Sequence, residues 1–229
     1  MGSMNEKERL LSRVDLLESL SAKEVIWLAF ITPDVHFERH QMLYTPNHDS
    51  RLIFLLLEGR VHLYRMGPAQ EHTMGIIYAG MMFGEAALSG RTQGEYAQAL
   101  ERSWVALLSL EILGELLRRN PGMGLRMASL LSERLQLYKS QLVDISLKEI
   151  PARLASLLLR LFESEGVVTP EGYYRITTSY THEQLGNMIG ATRVSVTRAF
   201  SRLRKTGAID VRQHAIYATD LKALKRASE

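Results

Sequence analysis

Hydrophobic and polar positions follow different periods in successive stretches of the chain, and the changes of period divide it. From about Val35 to Leu110 the apolar residues come in short runs or alternate singly, with glycine turns between them. Leu52-Ile-Phe-Leu-Leu-Leu57 is a continuous apolar run, Glu58-Gly59 interrupts it, and Arg60-Val-His-Leu-Tyr-Arg65 alternates polar with apolar. Met66-Gly67-Pro68 reads as a turn, Thr73–Tyr78 as another strand and Ala79-Gly80 as the next turn. Period two marks strands with one buried face, so the stretch predicts an antiparallel barrel or jelly roll. Ahead of it, residues 6–30 read as helical, with Leu10, Leu11, Val14, Leu17 and Leu20 apolar.

From 121 to 147 the spacing lengthens. Ala128, Leu131, Leu135, Tyr138, Leu142 and Ile145 recur at intervals of three and four, flanked by Arg, Glu, Gln and Lys. That is a heptad seam, and it predicts a long helix pairing with a second copy of the chain. A helix packed on its own domain would use a similar pattern. Tyr138 is the unusual member, because a tyrosine hydroxyl in a seam wants a partner. After a hinge at 146–149, Pro151 opens a helix that runs to Glu165 before Gly166, and Tyr173–Thr177 reads as a short strand.

The clearest chemistry lies between Thr181 and Arg204. Thr181 and Gln184 have capping-box spacing, Leu185, Met188 and Ile189 give one apolar face, and Gly190-Ala191 breaks the helix. Thr192 is placed to cap a second helix that runs to about Thr206 and stops at Gly207. Arg193, Arg198, Arg202, Arg204 and Lys205 lie on it with no acidic residue between them, while Val196, Phe200 and Leu203 fall on the face that would pack inward. Such a helix fits the major groove of B-DNA, with the residues of its first turns reaching base edges. A solvated basic helix is the rival reading; the glycine turn, the two caps and the strip of Arg193, Val194, Thr197 and Arg198 favour DNA. The segments 208–212 and 215–219 then form the hairpin wing of a winged helix, and 221–227 a closing helix.

Charge agrees with this division. Residues 148–229 hold 13 Lys and Arg against 8 Asp and Glu, and the rest of the chain holds 15 against 17. The cationic part carries the helix-turn-helix, as phosphate contact requires. A chain of 229 residues has room for two domains of ordinary size. The expected organisation is α+β: a β jelly-roll or barrel domain over 1–120, which the resemblance given below makes a sensor, a dimerisation helix over 121–147 and a winged helix-turn-helix DNA-binding domain over 148–229. The absence of cysteine excludes disulfides, thiolate metal sites, cysteine nucleophiles and cysteine-held iron–sulfur clusters. No apolar run is long enough to span a membrane, and Met1-Gly2-Ser3-Met4 leads into charged residues rather than a signal sequence, so a cytoplasmic location is expected. Met1-Gly2-Ser3 reads as a cloning remnant before a native Met4.

Strand-rich domain, long helix and winged helix in that order resemble the bacterial CRP/FNR transcription regulators over nearly the whole chain. The specific pieces are Leu57-Glu-Gly59-Arg-Val-His-Leu63, Phe83-Gly84-Glu85 and 183–204, and Thr192-Arg-Val-Ser-Val-Thr-Arg198 is especially similar to the cyanobacterial nitrogen-control regulators. The resemblance implies a homodimer on palindromic double-stranded DNA that recruits or blocks RNA polymerase, activation being the family habit. It makes Arg193 a guanine reader, Arg198 a contact to guanine or phosphate, and Thr181 and Thr192 phosphate contacts; His182, Ser195 and Arg202 are expected to touch phosphate beside them. Val194 departs from the glutamate of the cyclic-AMP receptors; valine accepts no hydrogen bond but can touch a thymine methyl, which implies a GTA-like rather than GTG-like half-site.

The sensor is where the resemblance to cyclic-AMP receptors weakens. The implied effector pocket comprises Gly84, Glu85, Arg91, Gln93, Gly94 and Tyr138. In the cyclic-AMP type an Arg-Ser pair stands where this chain has Gln93-Gly94, with Glu95 beside it, and a Thr-Ser pair where it has Tyr138-Lys139. A phosphodiester would face a carboxylate there without its cation. Arg91 is near enough in sequence for a loop shift to supply one. Control by cyclic AMP is therefore disfavoured; a 2-oxoglutarate-type effector and regulation by protein abundance alone remain open. Glu85 is then expected to cap amides of a barrel turn. None of His36, His40, His48, His62, His72, His182 and His214 stands where the known haem regulators of the family have their ligand, so no cofactor is expected. His36 and His40 are four apart in a segment that reads as irregular or strand-like, so no metal site is expected there. Two rivals come from other classes. A cupin-like barrel enzyme needs a His-x-His pair, and His62 stands alone between Val61 and Leu63. A regulatory subunit that never touches DNA would leave the helix-turn-helix without a purpose. No catalysis is expected.

Overall fold

The computed structural model describes residues 5–47, 51–68, 70–213 and 215–229. The readings of His48, His214 and the first four residues lie outside the described residues. The chain forms two compact units, Met1–Arg134 and Leu135–Glu229.

The first unit begins with helices α1 (Glu6–Leu11) and α2 (Ala22–Ile31), with a 3-10 turn at Asp15–Leu17 between them. Residues 6–30 are helical as their apolar pattern predicts, and two capping boxes, Asn5 with Glu8 and Ser21 with Glu24, divide them into two helices. Each box satisfies two otherwise unpaired amides, so each starts a helix of its own. Leu11, Leu16, Leu17 and Leu28 from these turns are fully buried.

Eight strands follow: β1 (Asp34–Phe37), β2 (Met42–Tyr44), β3 (Leu52–Glu58), β4 (Arg60–Met66), β5 (Glu71–Tyr78), β6 (Met82–Phe83), β7 (Tyr96–Ala99) and β8 (Ser103–Ser109). They form two antiparallel four-stranded sheets, ordered β1-β8-β3-β6 and β2-β7-β4-β5. The apolar run of β3 is buried almost throughout because its two faces meet two cores. Ile53, Leu55 and Leu57 pack with α1 and α2, while Phe54 and Leu56 pack with Val61, Leu63, Phe83 and Val105 inside the roll. In β4 alternation places Val61 and Leu63 in that interior core. His62 stays half-buried, hydrogen-bonded to Thr73 Oγ1 at 2.9 Å and stacked 4.8 Å from Tyr64. Burial pushes its imidazole down to about 4, so the ring is neutral at neutral pH.

Helix α3 (Leu110–Arg119), capped by Ser109, leads into α4 (Pro121–Leu147). The boundary between the units falls within α4, after Arg134. In the second unit α5 (Ile150–Glu165) has Pro in its first turn and buries Leu154, Leu158 and Leu161. Strands β9 (Gly166–Val168) and β10 (Tyr174–Ile176) precede α6 (His182–Ile189) and α7 (Arg193–Lys205). Strands β11 (Ile209–Arg212) and β12 (Ala215–Ala218) and helix α8 (Leu221–Ala227) complete the unit, with sheet order β11-β12-β10-β9. No helix among the described residues is long and apolar enough to cross a membrane.

Candidate nucleic-acid interface

Two caps and a glycine set the geometry of α6 and α7. The Thr181 hydroxyl accepts from Gln184 N at 3.1 Å while Gln184 Oε1 accepts from Thr181 N at 2.9 Å. Gly190 ends α6 with φ of +64°, a left-handed conformation that costs glycine little. The Thr192 hydroxyl accepts from Ser195 N at 3.3 Å and donates to Ser195 Oγ at 3.0 Å, which starts α7. Gly186 was not singled out by its sequence context. A Cβ there would lie 2.4 Å from the Ala191 carbonyl oxygen, so the close turn between the two helices depends on it. The signal was available: a glycine one place from Leu185 on the inward face of a short helix is an expensive choice unless something approaches closely.

Helix α7 divides cleanly. Val196, Ala199, Phe200 and Leu203 are buried against Leu185 and Ile189 of α6 and Leu154, Leu158 and Leu161 of α5. Arg193, Val194, Thr197, Arg198, Ser201 and Arg202 are exposed, Val194 by 60 %. Among the described residues no carboxylate forms an ion pair with Arg193, Arg198 or Arg202. Further along, Arg204 lies 3.6 Å from Asp210 of β11, which also accepts from Arg212 Nε at 3.0 Å. The Arg212 guanidinium rests over the rings of Tyr173 and Tyr217, 5.7 and 5.3 Å from their centroids.

His182 and Thr197 are tied together. The Thr197 hydroxyl donates its one proton to Arg193 O at 2.9 Å, and His182 Nδ1 lies 2.8 Å from Thr197 Oγ1. With that proton committed, the histidine Nδ1–H is the donor. The ring also packs on Phe200, with centroids 5.0 Å apart. Thr197 therefore has its methyl, rather than its hydroxyl, left to meet a base.

The seam residues of α4 differ in exposure. Leu131 packs against the core of the first unit and Ala128 is exposed. Leu135, Leu142 and Ile145 are 52, 65 and 45 % exposed, with Leu137, Val143 and Leu147 also open to solvent. Tyr138 is half-buried and lies in the second unit.

In the sensor unit, Gly84 precedes a 3-10 turn at Glu85–Ser89. Gln93 is 6 % exposed, and its amide donates to Gly84 O at 3.1 Å. Glu85 does not cap turn amides. Its Oε1 accepts from Arg134 Nη1 at 2.8 Å, and Arg134 Nη2 donates to Met82 O at 2.8 Å. The guanidinium outcompetes neutral amides as a donor because the bond is charge-assisted. No local sequence signal joins residues 49 apart. Glu85 Oε2 is buried without a hydrogen-bond partner. Burial, helped by repulsion from Glu85, raises the Glu95 carboxyl above its ordinary range; Tyr44 Oη lies 3.4 Å from it. Arg91 is exposed. The cation nearest Gly94 is one the sequence did not suggest, since a Cβ on Gly94 would lie 2.9 Å from Nη2 of the exposed Arg65. Around Gly94, then, Gln93 is neutral and donates to Gly84 O, Arg134 is paired with Glu85, and the half-buried Glu95 carboxyl is the next residue. His36 stacks on Trp104 at 4.8 Å in β1, and His40 occupies a turn with φ of +68°, so the two share no helix face. Among the described residues no cluster of His, Asp and Glu could hold a metal ion.

Comparisons with known proteins agree with this architecture. Residues 34–120 match the family model of the cyclic nucleotide-binding domain, and residues 152–227 that of the Crp-like helix-turn-helix domain. The global nitrogen regulator of Synechocystis sp. is 29 % identical over 184 residues, 79 % of this chain and 81 % of the relative. A CRP-like cAMP-activated global transcriptional regulator of Mycobacterium tuberculosis is 22 % identical over 224 residues, 96 % of this chain and 98 % of the relative. Among solved structures, a double mutant of CooA from Carboxydothermus hydrogenoformans superposes with a TM-score of 0.80 at 25 % identity, covering 100 % of this chain and 98 % of that one. With both domain models matched in order and relatives of this kind spanning most of its length, the chain belongs to the CRP/FNR family of DNA-binding transcription regulators.

Proposed function

We propose that the protein is a homodimeric regulator that reads a palindromic promoter site with GTA-like half-sites and is not controlled by cyclic AMP. The observation that carries this reading is the outward face of α7, where Arg193, Val194, Thr197, Arg198 and Arg202 are exposed and the three arginines form no ion pair among the described residues. Arg193 reads a guanine through O6 and N7, Val194 and the Thr197 methyl meet thymine methyls, and Arg198 contacts guanine or phosphate. Thr181, His182, Thr192, Ser195 and Arg202 hold the backbone and set register without reading sequence. The exposed apolar stripe of Leu135, Leu142 and Ile145 supports pairing of two α4 helices, which places two reading heads on the halves of a palindrome. Bound DNA presents the dimer to RNA polymerase. Activation or repression then follows from operator position.

The experiment is a binding titration of a selected operator by wild type, Arg193→Ala and Arg202→Ala at several salt concentrations. Arg193→Ala is expected to cost about 1–3 kcal/mol and to relax preference at one base pair. Arg202→Ala is expected to weaken all sequences alike and to lower the salt slope by about 1. Added cyclic AMP is expected to leave affinity unchanged. Variants that bind with wild-type affinity would contradict the reading of α7. A cyclic-AMP-dependent rise in affinity would contradict the sensor assignment, and the exposed Arg65 would be the first cation to examine.

A further inference from the structure

The end of α4 holds a charge in an expensive place. Asp144 lies in the last turns of α4, where the negative end of the helix dipole opposes a carboxylate, and its side chain is only 8 % exposed. Two cations hold it. Lys148 Nζ lies 2.9 Å from Oδ1, and Arg160 Nη1 of α5 lies 2.9 Å from Oδ2. Lys148 Nζ also donates to the buried Ser156 Oγ at 3.0 Å, and Arg153 Nε donates to Lys148 O at 2.8 Å. Ser156 and Arg153 are both on α5, so the two non-helical residues at 148–149 are bracketed by bonds from both helices. Burial opposes charge on Asp144, but the bonds from Arg160 and Lys148 outweigh it and hold the carboxyl below its ordinary range.

On the next residue, Ile145 is 45 % exposed, as is much of Leu142 two residues before. The last turns of α4 thus present one face to α5 through Asp144 and another, apolar, face outward. Helix α5 in turn packs on α7 through Leu154, Leu158 and Leu161. A buried ion pair contributes little net stability compared with apolar packing, but its geometry is specific and removing one partner is costly.

We infer that Asp144, clamped by Arg160 and Lys148, is a positioning residue for DNA binding: it fixes the angle between α4 and the α5–α7 reading head, and so the spacing of half-sites the dimer accepts. The inference rests on the proposed dimeric reading of a palindrome. Each base pair added between half-sites moves one by about 3.4 Å and turns it by about 34°, so a rigid clamp makes affinity depend steeply on spacer length.

The test uses full-length protein and duplexes carrying the selected half-site singly, as an inverted repeat at the selected spacing, and with one or two base pairs added or removed. Wild type is expected to favour its own spacing over a one-base-pair change by about ten-fold or more. Asp144→Asn and Arg160→Gln, each folded and dimeric by circular dichroism and light scattering, are expected to flatten that preference to within about three-fold, with single half-site affinity unchanged. Arg160→Lys keeps the cation and is expected to retain the wild-type profile. A folded Asp144→Asn or Arg160→Gln protein with the wild-type spacing profile overturns the inference. So does a loss of single half-site binding in either variant, which would assign the clamp to the reading head itself. Failure of wild type to bind any half-site would instead remove the DNA reading beneath it.

Discussion

Single residues in this protein often have a role their neighbours in sequence do not announce. His62 was legible as a lone histidine between two core residues; its burial and its bond to Thr73 across the β4–β5 pair were not legible. The consequence is a pH dependence of known sign. With the imidazole at about 4 in the fold and at its ordinary 6.5 when unfolded, the fold favours the neutral ring. That contribution is complete above pH 6.5 and is lost as pH falls towards 4, by at most about 3 kcal/mol. The stability of wild type relative to His62→Gln, measured by urea unfolding, is expected to shrink over that window; a difference that stays constant from pH 7 to pH 4 would contradict it. Glu85 teaches the opposite lesson. Its place after Phe83-Gly84 was clear from sequence, but its partner Arg134 sits on a different element, and pairings between distant residues leave no local periodic trace.

At the scale of elements, the capping and turn residues carried most of the information. Thr181, Gln184, Gly190 and Thr192 marked both ends of the helix-turn-helix because each answers a local need of the backbone that is written into a few adjacent residues. The same logic divides residues 6–30, which read as helical, into separate helices: the Ser21–Glu24 box starts the second. Gly186 and Gly114 separate local propensity from close packing. Both are helical glycines, and alanine is ordinarily better in a helix by about 1 kcal/mol. At Gly114 an added Cβ meets only Arg118 Nη1 at 3.7 Å, whereas at Gly186 it meets the Ala191 carbonyl oxygen at 2.4 Å. Gly114→Ala is therefore expected to raise thermal stability slightly. Gly186→Ala should lower it by about 1–3 kcal/mol and weaken DNA binding, because the angle between α6 and α7 must open. Equal effects from the two substitutions in calorimetry would show that the close approach is unimportant.

For the whole molecule, the order of jelly roll, long helix and winged helix was legible because each stretch has its own hydrophobic period. The spacing on α4 predicts a seam, and only the structure separates Leu131, packed in its own unit, from Leu135, Leu142 and Ile145, which a single chain leaves open. Exposed leucines in a heptad register are stabilised by burial against a second copy, at roughly 1.5–3 kcal/mol for each large side chain fully covered. Leu142→Glu is expected to yield a monomer by light scattering, with operator affinity falling to that of a single half-site while the winged helix stays folded. A Leu142→Glu protein that remained dimeric would move the interface elsewhere.

The most direct test of the central claim is selection of DNA from a random pool by the purified protein at near-physiological salt, without and with cyclic AMP or 2-oxoglutarate, followed by sequencing. The account predicts enrichment of an inverted repeat whose half-sites carry A·T at the third position, the same repeat with and without cyclic AMP. A pool that keeps its input composition under every condition, or a repeat with G at that position, would contradict it.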